Sequence, residues 1–142
     1  MPTEFQQHCE TIEECYEFTL SYAAQGHGPN DASSQGQQLR EYLTRAVKAM
    51  QALDASCAAA IASEHLEPTA PYERFIRVLA RDAQDSIAAV ELVLAQPGIS
   101  SQLIDNLNAS IHLRALLTSM FLVAEILEAH QAQASASQHV VG

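Results

Sequence analysis

The sequence predicts an all-α protein, an antiparallel up-down-up-down four-helix bundle. Helix formers dominate, with 24 Ala, 15 Leu and 13 Gln making up 52 of 142 residues, and such side chains cost little in a helix. Strand formers are scarce: Val, Ile and Thr together number 21 and there is no Trp, whereas a sandwich or barrel draws heavily on β-branched and aromatic residues. Five glycines and five prolines fall between long uninterrupted stretches. They leave four amphipathic segments with mostly short joints, the pattern of a bundle.

The first helix is expected over 3–25. Thr3-x-x-Gln6 has capping-box spacing, and Phe5, Cys9, Ile12, Tyr16, Thr19 or Leu20, and Ala23 follow at steps of three and four, one helical face. Gly26 and Gly28 can stop it through positive φ, and Pro29 blocks continuation. The polar stretch 25–36 reads as the most mobile internal connection.

A second helix is expected over 35–66, started by Ser34-x-x-Gln37. Leu39, Leu43, Ala46, Met50, Leu53, Cys57, Ala60 and Glu64 keep a strict four-three alternation, the longest heptad pattern in the chain. Pro68 and Pro71 separate it from a third helix over 70–95, with Thr69 as its cap and Leu79, Ala83 and Val90 on the inward stripe. Pro97-Gly98 ends that helix. Ser100 or Ser101 caps a fourth over 100–131. The bundle domain is expected over 1–131, and the Ala/Ser-rich 132–142 reads as a flexible tail.

Seventeen acidic and seven basic residues leave a net charge of −10. That balance lacks the basic footprint of nucleic-acid binding and opposes anionic membranes. No apolar run reaches the roughly 20 residues of a bilayer span, and the N-terminus shows no secretory pattern, so a cytoplasmic protein is expected. Three cysteines without Cys-x-x-Cys spacing fit neither a disulfide framework nor a zinc site.

Several chemistries fail on spacing. A ferritin-like di-iron site needs Glu-x-x-His on two helices, and no Glu here has His three positions on. No two of the six histidines lie three or four apart. His8, His65 and His130 meet only if one end of a bundle gathers them, the weak basis for a metal site. No phosphate loop, haem motif or nucleophile elbow is present. A non-enzymatic role is therefore expected, with no cofactor and no metal.

Surfaces carry the remaining signal. In Leu113–Leu127, eleven of fifteen residues are apolar, more than a single bundle-facing stripe needs. Leu116, Met120, Val123 and Leu127 are expected to meet a partner, most simply a second copy, while Leu117, Phe121 and Ala124 fill the core. On the first helix, Cys15, Phe18 and Tyr22 form a second apolar flank, open to a partner or covered by the 25–36 connection. Glu10, Glu14 and Glu17 make an acidic stripe, and Arg74, Arg77 and Arg81 a basic one. The stripes can meet between two chains or stay solvated, with Glu73–Arg77 and Arg81–Asp85 as pairs within one helix.

The function read from these features is an acidic helical interaction protein, a homodimer that serves as adaptor, regulator, chaperone or immunity-type partner. The alternative is a binder of a small molecule, metal or redox ligand inside the bundle. Its polar handles would be Arg114 and Glu125, which interrupt the most apolar segment, with Cys57 and Tyr16 or Tyr42 lining the site.

Overall fold

The computed structural model describes residues 2–30 and 33–141, with the side chains of 137–141 outside that set. Among the described residues the chain is all-α, without strands, and has six helices rather than four: α1 Glu4–Ala24, α2 Ser34–Gln51, α3 Leu53–Ser63, α4 Thr69–Leu94, α5 Ser101–Ala109 and α6 Ile111–Val141. Two of the four expected helices are broken, each at a single residue.

The first break is mild. Ala52 sits at φ −98°, ψ 0°, and its N–H bonds to Ala49 O at 3.2 Å, one tight turn of the 3₁₀ kind. Met50 and Leu53 stay buried on either side, so the heptad face runs through the break. The second break is sharp. Ser110 is extended (φ −63°, ψ 141°), and α5 and α6 meet at 54°. The Ser110 hydroxyl accepts from Leu113 N at 3.3 Å, so it caps α6. Asn108, buried beside the bend, has no hydrogen-bond partner among the described residues.

The other ends follow simple capping rules. Thr3 and Gln6 form the expected box, with Gln6 N donating to Thr3 Oγ1 at 3.1 Å and Thr3 N to Gln6 Oε1 at 2.7 Å. Ser100 Oγ accepts from Leu103 N at 3.1 Å and starts α5. Gly26 takes φ 74° just past α1, the left-handed stop that glycine adopts without penalty. His65 stops α3 in the same way at φ 53°. The cap of α2 is Ser33 and that of α4 is Pro68, not the expected Ser34 and Thr69. The last helix does not end near His130. Its backbone stays helical to Val141 through the Ala- and Gln-rich stretch expected to be a tail, as the helix preference of those residues allows.

One core joins the helices. Phe5, Ile12, Leu39, Leu43, Leu53, Leu79, Ile104, Leu116, Met120 and Leu127 are sealed within it, and Leu117 is buried beside them. Helix α1 packs on α2, α3 and α5, while α4 packs on α2, α3 and α6.

One end of the molecule is welded by polar bonds. The Tyr22 hydroxyl donates to Ile99 O at 2.7 Å, and Ser101 Oγ donates to Tyr22 O at 2.6 Å. His27 N donates to Ser101 Oγ at 2.7 Å, and Ser101 N donates to His27 O at 2.9 Å. The Arg40 guanidinium donates to Leu94 O and Gln96 O at 3.0 and 2.6 Å, placing positive charge at the negative end of the α4 dipole. Gly98 lies so close to the α1–α2 connection that a Cβ there would fall 1.7 Å from Pro29 O.

Candidate interaction surface

The opposite end is open. Between the end of α3, the first turns of α4 and the middle of α6 lies a groove of about 340 Å³. Pro71, Tyr72, Phe75 and Ile76 form its α4 wall, Leu122, Val123, Ile126 and Leu127 its α6 wall, and Ile61, Leu66 and Pro68 its floor and end. Tyr72 carries the single side-chain hydroxyl in this lining.

The groove opens onto an apolar strip. Leu122 is 50% exposed, Ile126 37% and Val78 42%. Asp82 accepts a 2.6 Å hydrogen bond from Ser119 Oγ, and this bond closes the α4–α6 seam directly beyond the groove. Exposed large apolar residues on adjoining helices are the usual mark of a contact surface.

The structure differs from the faces expected on the last helix, although Leu117 is buried as expected. Leu116 and Met120 are fully buried, and Val123 and Leu127 nearly so. Leu116 and Met120 pack within the chain, while Val123 and Leu127 show only their edges, in the wall of the groove. Phe121, expected inside, is 44% exposed, and Ala124 is half-buried. The 54° bend at Ser110 aims α6 so that its Leu113–Leu116–Met120–Leu127 side turns inward. The outward apolar residues of this region are Phe121, Leu122 and Ile126. The signal for them was the width of the apolar arc, which shows a surplus but not which edge is exposed.

The α1 flank is covered within the chain. Cys15 and Tyr22 are buried, and Phe18 is half-buried. Phe18 stacks on Tyr42 of α2 with ring centroids 4.5 Å apart, and Tyr22 stacks on His27 of the following connection at 4.4 Å. This aromatic row is therefore internal packing, and of the two expected covers it is the 25–36 connection, through His27, together with α2 that lies over it. Arg114 and Glu125 are both exposed and are not handles of an internal site. Burying either charge unpaired would cost far more than leaving it in water.

The charged stripes lie in solvent. Glu10, Glu14 and Glu17 are exposed, as are Arg74, Arg77 and Arg81. None of these six makes an ion pair among the described residues, and the Glu73–Arg77 and Arg81–Asp85 pairs do not form. His8 Nε2 and Glu4 Oε1 approach to 3.5 Å. Glu13 stands in a cleft with Cys9, Glu10 and Glu128. Partial burial, and then the neighbouring Glu10, Glu17 and Glu128 charges, push its carboxyl above the usual range.

Cys9, Cys15 and Cys57 are free and buried. Burial pushes each thiol from 9.0 up to about 12, the opposite of an activated nucleophile. Among the described residues, no three His, Cys, Asp or Glu side chains gather in a metal-binding group, so His8, His65 and His130 do not form one. No single helix there is long and apolar enough to cross a membrane.

With this geometry in view, the chain was compared with protein-family models, curated proteins and solved structures, and nothing in the three sets matches it. Function therefore rests on the surfaces.

Proposed function

We propose that this chain is a non-enzymatic, cytoplasmic interaction protein that self-associates as a homodimer. In this reading the six helices act as four arms of an up-down-up-down bundle: α1, α2 with α3, α4, and α5 with α6. The supporting observation is the α4–α6 groove with Leu122 and Ile126 exposed in its wall, and Val78 exposed one helical turn along α4 from the lining residue Phe75. Covering such surface releases about 25 cal/mol for each Å² of apolar area. The exposed acids of α1 give the assembled protein a surface suited to basic partners, as an adaptor, regulator, chaperone or immunity-type protein requires.

A second reading keeps the groove as a pocket for an apolar small molecule. Its volume favours this, since about 340 Å³ lies within the range of ligand sites. The lining argues the other way, because it offers almost no polar group to orient a ligand. Native mass spectrometry of the purified full-length chain separates the two. The homodimer reading expects twice the chain mass with nothing bound. A monomer carrying a stoichiometric ligand or metal overturns it.

A further inference from the structure

We infer that the open α4–α6 face is covered by the same face of a second copy of this chain. The two copies are related by a twofold axis parallel to the helices, so α4 of one copy lies on α6 of its partner. This rests on the homodimer reading above and adds the surface and the orientation.

The size of the face fits. Helix α4 has 26 residues and α6 runs beyond it. In the register given below, the two helices lie level over about 20 residues, and at about 1.5 Å of rise per residue and about 10 Å between axes they present roughly 30 by 20 Å. That is about 600 Å² for each partner, the low end of specific interfaces.

The charges fit this orientation. The Ser119–Asp82 bond and the 2.9 Å bond from Ser86 Oγ to His112 O show that α4 and α6 run in opposite directions. They put position 82 beside 119 and 86 beside 112. Continued along the helices, this register places Val78 level with Leu122 and Arg74 about level with Ile126. At about 100° per residue, Arg74, Val78 and Arg81 share the α4 edge next to Pro71 and Phe75. On α6, Glu125 falls about 60° past Leu122, on the side away from Ser119 and hence from α4. Across the face therefore run an α4 edge with Arg74, Arg81 and Asp85, an apolar seam, and an α6 edge with Glu125 and Arg114, all five charged side chains exposed. Arg74, Arg81 and Glu125 are exposed and make no ion pair among the described residues.

A twofold axis along the helices keeps each residue at its own height and exchanges the edges. Glu125 then meets the partner's Arg74, twice in the dimer. An isologous contact of this kind closes on itself and leaves no face open to further copies.

Sedimentation equilibrium on the full chain, with circular dichroism as the check on folding, tests the proposal. Wild type should be dimeric at tens of micromolar, an order-of-magnitude working range. Leu122→Asp should be a folded monomer. Glu125→Arg and Arg74→Glu should each raise the dimer Kd about three- to tenfold, as expected for two rim pairs. The double exchange should return it to near the wild-type value. A monomeric wild type overturns both this inference and the homodimer reading. A dimer that survives Leu122→Asp places the contact elsewhere. Single exchanges without effect, or a double exchange that fails to rescue, overturn the orientation and leave the homodimer reading standing. If Leu122→Asp unfolds, the charge exchanges at two exposed positions still decide.

Discussion

Ser119 of α6 and Asp82 of α4 are joined by a 2.6 Å hydroxyl–carboxylate hydrogen bond, with the serine buried. The bond sits where the packed part of the α4–α6 seam gives way to the groove. It fixes the register of the two helices that carry the open face.

Replacing Ser119 with alanine removes this bond while Asp82 keeps partial access to water. The expected loss is about 1.5–3 kcal/mol of stability, the usual range for a hydrogen bond to a charged group. Urea denaturation should also show Asp82→Asn losing less, because the amide oxygen can still accept. Equal stability of Ser119→Ala and wild type would mean the bond does not hold the seam.

Met120→Glu should unfold the chain rather than dissociate it. Met120 is completely enclosed, and an unpaired carboxylate there would cost several kcal/mol. Loss of helical circular dichroism at neutral pH is the expected result. A folded variant with altered oligomeric state would return Met120 to a subunit contact.

Gly98→Ala and Gly28→Ala should differ sharply. A Cβ at position 98 collides with the Pro29 carbonyl, whereas at position 28 it meets nothing within 4 Å. The first should cost more than about 2 kcal/mol, since backbone must shift. The second should stay within about 1 kcal/mol of wild type. Similar melting temperatures for the two would contradict the close approach of the two connections.

The thiols should control alkaline stability. Burial raises all three from 9.0 to about 12, so above pH 9 the folded chain holds protons that the unfolded chain releases. Their contribution is complete below pH 9 and falls as pH rises toward 12, with a slope of up to about three protons. Denaturant titrations across that window should show the decline, and a Cys9→Ala/Cys57→Ala double variant should flatten it. At pH 8 a thiol reagent should label wild type only at the rate of opening. Rapid stoichiometric labelling of the folded chain would refute burial.

Helix content, the capping box at Thr3, the stop at Gly26 and the heptad face of 39–60 could all be read from the chain, because each is set by residues close in sequence. The six-helix division was harder to see. Ala52 carries no glycine or proline signal, so nothing local in the sequence marks its break. Ser110 does carry a signal, since serine is a preferred cap, but it lies inside a strongly helical stretch that masks it. The outward face of α6 depends on the bend at Ser110. A helix drawn straight through 110 puts Leu116 and Met120 outward and Phe121 inward. The sequence leaves the cover over Phe18 and Tyr22 open for a similar reason: Tyr42 and His27 reach them only after the chain has folded back.

The welded end has a mechanical consequence for the rest of the molecule. Tyr22, Arg40, Gly98 and Ser101 tie α1, α2, α4 and α5 together at one pole, while the groove lies near the other. The helices are thus held like the arms of tweezers, pinned by polar bonds at the handle and held mainly by apolar packing toward the tips. Amide exchange should be slowest around 22, 39–43 and 99–104 and should quicken toward 61–76 and 122–131. The tips can then part by small angular motions, admitting a partner's side chains while the handle keeps the core closed.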